Sequence, residues 1–253
     1  MTISHKTIVV VPCYNEAARL PTDEFEKALR ENANLEFVFV DDGSSDDTSG
    51  VIQRLRQAAG ERAHLLALPK NSGKAEAVRQ GVLHAFSLGP EYLGYWDADL
   101  STPLRAIGDF ARVLDERNVS LVMGARVQLL GRKIERNPVR HYIGRAFASL
   151  ASIALALPVY DTQCGAKLFR ATPVVREVFA QPFSLGWTFD VELLGRMQEQ
   201  FAKVGVTDLL RECVEYPLEE WVDIPGSKLK PKHFLGILVE LGQIFLRRKR
   251  GRH

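Results

Sequence analysis

The chain has 253 residues, of which 46% are hydrophobic and 25% are charged, and these globular values exclude disordered and collagen-like classes. Its length allows one large α/β domain with a sizeable core. The formal net charge of +2 excludes a nucleic-acid-binding protein that relies on global positive charge, so we expect no nucleic-acid partner.

Cysteine usage and hydropathy predict a cytoplasmic protein. Cys13, Cys164 and Cys213 are odd in number and widely spaced, as is typical of reduced thiols rather than of a disulfide framework or a zinc site. The first residues contain no apolar segment long enough for a signal peptide. No apolar run reaches the ~20 residues of a membrane-spanning helix.

Apolar strands and helices alternate regularly through the first half of the chain. The sequence predicts strands over 7–12, 35–42, 64–68, 92–96 and 120–126, and helices over 23–32, 46–60, 74–86 and 103–116. Short apolar strands separated by helices indicate βαβ units, and therefore an α/β fold whose mainly parallel sheet has helices on both faces. We expect Ser44 or Ser45 to bond the first amides of the second helix.

The second half of the chain is less regular. Its pattern predicts a long helix over 137–157, a loop that enters a short strand over 161–170, and a second helix over 186–201. It then predicts a last strand over 212–218, a loop over 219–231 and a final helix over 232–250. We interpret residues 1–230 as one domain and 231–253 as a basic amphipathic C-terminal helix. Such a helix can lie on a membrane surface or pack against a core, and the sequence leaves both readings open.

Polar loops follow the first four predicted strands. They read "PCYNE", "DDGSSDD", "NSGK" and "DAD". Ligands of parallel α/β sheets bind beyond the carboxyl ends of the strands, so these four loops predict one polar binding site.

Common nucleotide and hydrolase motifs are absent from the sequence. "NSGKAEA" lacks the first glycine and the final Ser or Thr of a phosphate-binding P-loop. No G-x-G-x-x-G follows the first strand, and no H-E-x-x-H or G-x-S-x-G occurs. P-loop, dinucleotide-binding and hydrolase-triad sites are therefore disfavoured.

Asp97 and Asp99 follow the fourth predicted strand and are separated by one small residue. Two such carboxylates form either a solvated turn or a seat for Mg²⁺ or Mn²⁺, which take hard oxygen ligands. Asp41, at the end of the second strand, is expected to belong to a turn and can also accept a nucleobase N–H, since the two readings are compatible.

Several motifs, in their order and spacing, resemble the family 2 glycosyltransferases with the GT-A fold. They are "VVVPCYNE", "FVFVDDGSSDDT", "NSGKAEAVRQG", "DAD" and "MGAR". Further along, "DTQCGAKLF", "WTFDVELL" and "IPGSKL" are similar to the group of dolichyl-phosphate β-glucosyltransferases and mannose synthases. The resemblance covers roughly residues 7–230.

The resemblance implies an inverting, metal-dependent enzyme that moves a hexose to a polyprenyl or dolichyl phosphate. Glucose is the favoured sugar and UDP-glucose the favoured donor, with GDP-mannose as the alternative. The implied cofactor is Mg²⁺ or Mn²⁺, and the implied location is peripheral, at the cytoplasmic face of the membrane.

The resemblance also assigns roles to individual residues. Asp97 and Asp99 would hold the metal, Arg126 would meet the acceptor phosphate, and Asp190 would take the place of the base, with Glu192 beside it. The nucleotide side would be formed by Pro12, Tyr14, Glu16, Asp41, Asp42, Lys74, Asp97 and Lys228.

Two positions depart from the mannose synthases. Ser101 stands where they carry an amide that contacts the metal, and Val222 stands where they carry an arginine; both differences favour the glucosyl branch. Two alternatives remain open: a transferase with a hydroxyl acceptor, for which Asp190 would be a true base, and an inactive protein that only binds nucleotide sugar.

Overall fold

The structure, a computed structural model, describes residues 3–135, 138–186 and 188–224. The predicted C-terminal helix over 231–253 and the predicted site residue Lys228 lie outside the described residues.

Seven strands form the central sheet, in the order β3-β2-β1-β4-β7-β5-β8. A second sheet, of two parallel strands, pairs β6 with β9. The strands are β1 (Thr7–Cys13), β2 (Leu35–Asp41), β3 (Ala63–Ala67), β4 (Tyr92–Trp96), β5 (Leu121–Ala125), β6 (Lys133–Glu135), β7 (Ala166–Arg170), β8 (Cys213–Pro217) and β9 (Glu220–Val222).

Helices cover both faces of the large sheet. They are α1 (Thr22–Glu31), α2 (Thr48–Ala59), α3 (Lys74–Ser87), α4 (Ala106–Arg117), α5 (Pro138–Leu155), α6 (Pro173–Val178) and α7 (Phe189–Lys203), with 3₁₀ turns at Gly60–Arg62 and Leu209–Arg211. Within the described ranges, none of these helices is both long and apolar enough to cross a membrane.

Strand β1 shows why the sheet is buried on both faces. Val9 and Val11 point into a core cluster shared with α1, α2 and α4, whereas Ile8 and Val10 point into a cluster shared with α3, α5, α6 and α7. Successive strand residues face opposite sides, so a continuous apolar run requires helices on both. The predicted α/β class with a mainly parallel sheet is confirmed.

Strand β7 is the exception to parallel pairing. It lies between β4 and β5 and is antiparallel to both, with Lys167 opposite Tyr95 on one side and opposite Met123 on the other. Because β7 runs opposite to β4 and β5, the loop before β7 lies at the edge of the sheet where β4 and β5 end. Residues 161–165 therefore contact the loops that follow β4 and β5, and line the same cleft as the loops that follow β1 and β2.

Two local predictions were wrong. Ser44 and Ser45 do not cap α2, because the helix begins only at Thr48; Ser44 Oγ instead accepts the Asn15 N–H at 2.9 Å, and the Ser45 N–H donates to Asn15 Oδ1 at 2.9 Å. The segment predicted as a loop over 219–231 contains β9, which pairs with β6 in a register that sequence periodicity does not reveal.

Candidate active site

The loops at the carboxyl edge of the sheet enclose a cleft of about 1120 Å³. Most of the predicted site residues line it: Pro12, Tyr14, Glu16, Asp42, Lys74, Asp97, Asp99, Arg126 and Asp190. Asp41 and Glu192 do not line the cleft.

Two consecutive aspartates at the end of β2 have different roles. Asp41 Oδ1 accepts the Ser44 N–H at 3.0 Å, and its other oxygen accepts the Ser49 hydroxyl, so this carboxylate organises the β2–α2 loop. Its contact with a nucleobase stays a prediction. Asp42 accepts the N–H groups of Ser72 and Gly73 at 2.7 and 2.8 Å. Burial raises the pKa of Asp42 despite these two bonds. Asp42 thus fixes the loop after β3 at the wall of the cleft.

Arg19 is a cleft residue that sequence reasoning missed. Its guanidinium forms a two-pronged pair with Glu16, in which Nη2 lies 2.6 Å from Oε1. The bond to Glu16, and further off the charge of Asp99, raise the pKa of Arg19. The "YNE" loop therefore contributes a paired cation as well as an acid.

Asp97 and Asp99 line the cleft directly after β4. The Asp97 N–H donates to the Gly165 carbonyl at 3.0 Å, and a Cβ atom at Gly165 would lie 1.8 Å from Asp97 Oδ2. Only glycine leaves room for this carboxylate. Asp99 Oδ1 accepts the Ser101 N–H at 3.0 Å, and burial followed by the charge of Asp97 raises the pKa of Asp99.

Lys74, at the start of α3, donates a hydrogen bond to Asp97 Oδ1. Burial lowers the pKa of Lys74, but the charges of Asp97, Asp190 and Asp99 outweigh it and raise the pKa above its ordinary value. The lysine is therefore a permanent cation beside the carboxylates that follow β4.

Asp190, in the first turn of α7, is buried and lies at the base of the cleft. Its Oδ1 accepts hydrogen bonds from the Tyr95 phenol and from Lys167 Nζ, the latter at 2.6 Å. Burial, and then the charge of Asp190, raise the pKa of Tyr95 well above its usual value, so the phenol keeps its proton and donates it.

Glu192 has a different position from the one predicted for a partner of Asp190. Its Oε2 accepts the Ser184 N–H at 2.9 Å and the Leu185 N–H at 3.0 Å, and its Oε1 accepts from Arg196 at 2.8 Å. Two residues along a helix is about half a turn, so Asp190 and Glu192 cannot face the same side. Glu192 holds the loop before α7, while Ser184 and Leu185 of that loop line the cleft.

Arg126, directly after β5, is paired with Asp161. Nε and Nη2 lie 2.6 and 2.7 Å from the two Asp161 oxygens, and the guanidinium lies 5.3 Å from the Trp221 ring centre. Burial lowers the pKa of Arg126, but Asp161 outweighs it and raises the pKa. Glu215 in turn accepts the backbone N–H groups of Tyr160 and Asp161 and so fixes the loop that carries Asp161.

Sequence reasoning also missed Asp161, Lys167 and Arg145. Lys167 had a usable signal, because a lysine inside the apolar strand "AKLF" must be paired if the strand is buried. Asp161 and Arg145 had none, since a polar residue in a loop or on a helix is usually solvated.

The described part of the chain contains no group of three or more His, Cys, Asp or Glu side chains that could hold a metal ion. A metal in this cleft would therefore take Asp97 and Asp99 and complete its coordination with substrate and water.

The architecture is that of an α/β protein with its cleft at the carboxyl edge of the parallel strands. The sequence profile described as Glycosyl transferase family 2 matches residues 8–176. The chain belongs to this family.

Two curated relatives match most of the chain. A dolichyl-phosphate beta-glucosyltransferase of Trichomonas vaginalis is 32% identical over 251 residues, covering 94% of this chain and 70% of that protein. The human dolichyl-phosphate beta-glucosyltransferase is 33% identical over 242 residues, covering 88% of this chain and 69% of that protein.

Among solved structures, the fold is similar to glucosyl-3-phosphoglycerate synthase of Mycobacterium tuberculosis in complex with Mn²⁺, UDP and glucosyl-3-phosphoglycerate. The TM-score is 0.62 at 20% identity, and the match covers 97% of this chain and 80% of the other. This likeness confirms the GT-A architecture.

Replacing Glu192 tests its structural role. Glu192→Ala removes the acceptor for two backbone N–H groups and for Arg196, so we expect a loss of roughly 3 kcal/mol in the free energy of unfolding, measured by urea denaturation. Sugar transfer per folded molecule should fall less than about tenfold, whereas Asp190→Asn should cost about a hundredfold. A stable Glu192→Ala protein that is as inactive as Asp190→Asn would contradict this role.

Proposed function

We propose that the chain transfers glucose, with inversion, from UDP-glucose to a polyprenyl or dolichyl phosphate at the cytoplasmic face of a membrane. One observation carries the proposal: the carboxylates after β4 and the arginine after β5 share a single cleft. The family membership and the names of the relatives that are about a third identical support it.

The reaction is a direct displacement at the anomeric carbon. An oxygen of the acceptor phosphate forms a bond to C1 of glucose, the bond from C1 to the donor diphosphate breaks, and UDP leaves with the electron pair. A phosphate monoester is already anionic near neutral pH, with a second pKa of about 6. The nucleophile therefore needs no strong base, and the main demand on the site is to stabilise charge on the leaving diphosphate.

Asp97 and Asp99 fit a divalent cation. Mg²⁺ is usually held by one or two carboxylates together with substrate phosphates and water, and these two carboxylates supply hard oxygen ligands side by side. Burial, and then the charge of Asp97, raise the pKa of Asp99, and a bound cation would offset both. When bound, the metal would act as a Lewis acid on the diphosphate. Lys74 adds a fixed positive charge at the same place.

Arginines on the other side of the cleft suit the acceptor phosphate. Arg126 uses Nε and Nη2 for Asp161, and within the described residues its Nη1 makes no hydrogen bond. Arg145 of α5 lies over the Tyr160 ring at 3.7 Å and donates Nη1 to the Tyr160 carbonyl at 2.9 Å. Both line the cleft, and guanidinium groups bind phosphate oxygens in a planar fork.

The proposed membrane contact would be made by apolar side chains on the protein surface. Of the seven large hydrophobic residues exposed in the described part of the chain, five lie between 129 and 153: Leu129, Leu130, Tyr142, Leu150 and Ile153. Leu129 and Leu130 are 48% and 105% exposed. Leu150 also lines the cleft, so this exposed apolar side chain lies beside the site where the lipid phosphate would enter.

A donor and acceptor screen tests the function. The protein is incubated with UDP-glucose, UDP-GlcNAc or GDP-mannose and either a polyprenyl phosphate or a soluble saccharide, and products are identified by mass. We expect a glucosyl phosphoryl polyprenol as the main product. Transfer from UDP-glucose to the saccharide without any lipid would contradict the proposed acceptor.

Gly165→Ala tests the metal site. The new methyl group would displace the Asp97 carboxylate, so the affinity for UDP in the presence of Mn²⁺, measured by calorimetry, should fall about 10- to 100-fold. Gly195→Ala is the matched control, since its Cβ would make only an ordinary contact with Leu155. Mn²⁺-dependent binding that is equal in both variants would show that Asp97 is not a metal ligand.

Charge substitution tests the membrane surface. Leu129→Asp/Leu130→Asp should reduce flotation with vesicles of phosphatidylcholine, phosphatidylglycerol and polyprenyl phosphate. Val204→Asp/Leu210→Asp, which alters two exposed apolar residues elsewhere in the chain, should float like the wild type. Equal flotation of the two variants would exclude residues 129–130 as the contact.

A further inference from the structure

Lys167 is a charged residue inside the sheet. It lies in β7, between β4 and β5, and its side chain is 0% exposed. Removing an ammonium group from water costs several kcal/mol even after relaxation, so a buried lysine needs partners for its charge and for its protons.

Every proton of the Lys167 ammonium has an acceptor. Nζ lies 2.6 Å from Asp190 Oδ1, 2.8 Å from the Cys164 carbonyl and 3.0 Å from the Thr162 carbonyl. It also lies 5.3 Å from the centre of the Tyr95 ring. One ammonium therefore connects the first turn of α7 with the loop before β7, and both of these segments line the cleft.

The two groups that donate hydrogen bonds to the Asp190 carboxylate contact the same oxygen. Lys167 and the Tyr95 phenol both donate to Oδ1, and among the described residues none donates to Oδ2. Two donors on one oxygen fix the plane of the carboxylate. The second oxygen keeps its capacity to accept a hydrogen bond.

The loop over 161–165 is held largely by residues outside it. Within the loop, Asp161 accepts the Gln163 N–H at 3.2 Å, whereas Thr162 Oγ1 and Gln163 Nε2 are buried and have no hydrogen-bond partner among the described residues. The loop is instead fixed at its carbonyls by Lys167 and at Asp161 by Arg126 and by Glu215. Losing the ammonium of Lys167 would remove its restraint on the loop and on Asp190 together, while the bonds from Arg126 and to Glu215 remain.

Burying an ion pair does not by itself stabilise a fold. Replacing a buried ion pair by apolar residues of similar volume is often neutral or stabilising, whereas removing one partner is strongly destabilising. Asp190 also lines the cleft, and none of the described residues donates to its Oδ2. The pair thus holds a carboxylate of the cleft in one orientation.

We propose that Lys167 is a positioning residue, which fixes Asp190 so that Oδ2 accepts a hydrogen bond from a hydroxyl of the transferred sugar. The inference rests on the proposed function, since it takes the cleft to hold a nucleotide sugar. Lys167 itself does not touch substrate; it acts through Asp190 and through the carbonyls of Thr162 and Cys164.

A double-mutant cycle tests the proposal. Lys167→Met should lower kcat about 10- to 100-fold, the range for residues that orient a functional group. UDP binding with Mn²⁺ should change less than about threefold, because Asp97 keeps its bond to Lys74 and Asp99 keeps its bond to the Ser101 N–H. In an Asp190→Asn background, Lys167→Met should cost less than about a further threefold. Equal factors in both backgrounds would overturn the proposal.

Arg170→Met is the matched control. Arg170 is a second cation of β7 that donates to backbone carbonyls, those of Leu114 and Val119, and it lies beside the Tyr92 ring. It does not line the cleft, so we expect its replacement to leave kcat per folded molecule close to the wild-type value. If Arg170→Met lowers kcat as much as Lys167→Met, the effect is one of general stability and the proposal is wrong.

Two further comparisons keep the test decisive. Lys167→Met leaves Asp190 without its counter-charge, which can prevent folding. In that case Asp190→Asn is compared with Lys167→Met/Asp190→Asn. A kcat that is about tenfold lower in the double variant than in Asp190→Asn overturns the proposal. The same ratios of kcat between variants can be measured for the hydrolysis of UDP-glucose, a reaction that needs no lipid. Failure of the lipid as acceptor would therefore reject the proposed function and leave this test intact.

Discussion

The site depends on the antiparallel pairing of β7 between β4 and β5. Parallel βα units alone would bring together only the loops after β1 to β5. The reversed strand adds the loop over 161–165 to the same edge and places Lys167 opposite Tyr95. Asp97 then bonds to Gly165, Arg126 to Asp161 and Asp190 to Lys167. Each of these contacts links a predicted site residue to the segment that β7 delivers.

Three carboxylates near the cleft are each balanced by a salt bridge to one cation. Asp97 faces Lys74, Asp161 faces Arg126 and Asp190 faces Lys167. Asp99 has no salt bridge within the described ranges, and its raised pKa reflects burial and the charge of Asp97. Asp99 thus lies, without a cationic partner among the described residues, where the proposed cation and diphosphate would bind.

Sequence patterns predicted the elements better than their pairing. Apolar runs such as "IVVVP" and polar loops such as "DAD" located the strands, their order in the first half and the edge that carries the site, because burial on both faces leaves a clear signal. The orientation of β7 and the pairing of β6 with β9 depend on contacts distant in sequence. For the same reason, Asp41 and Glu192 were assigned to the cleft from their neighbours in sequence, whereas their hydrogen bonds hold loops. Lys167 was overlooked although a lysine in an apolar strand is itself a signal.

The central claim is that one cleft holds both the donor diphosphate at Asp97 and Asp99 and the transferred sugar beside Asp190. The most direct measurement is a crystal structure of the protein with Mn²⁺ and UDP-glucose, with diffraction data collected at the manganese absorption edge. The account predicts an anomalous peak between the two carboxylates and a glucosyl group whose hydroxyl donates to Asp190 Oδ2. A metal bound elsewhere, or a glucosyl group out of reach of Asp190, would contradict it.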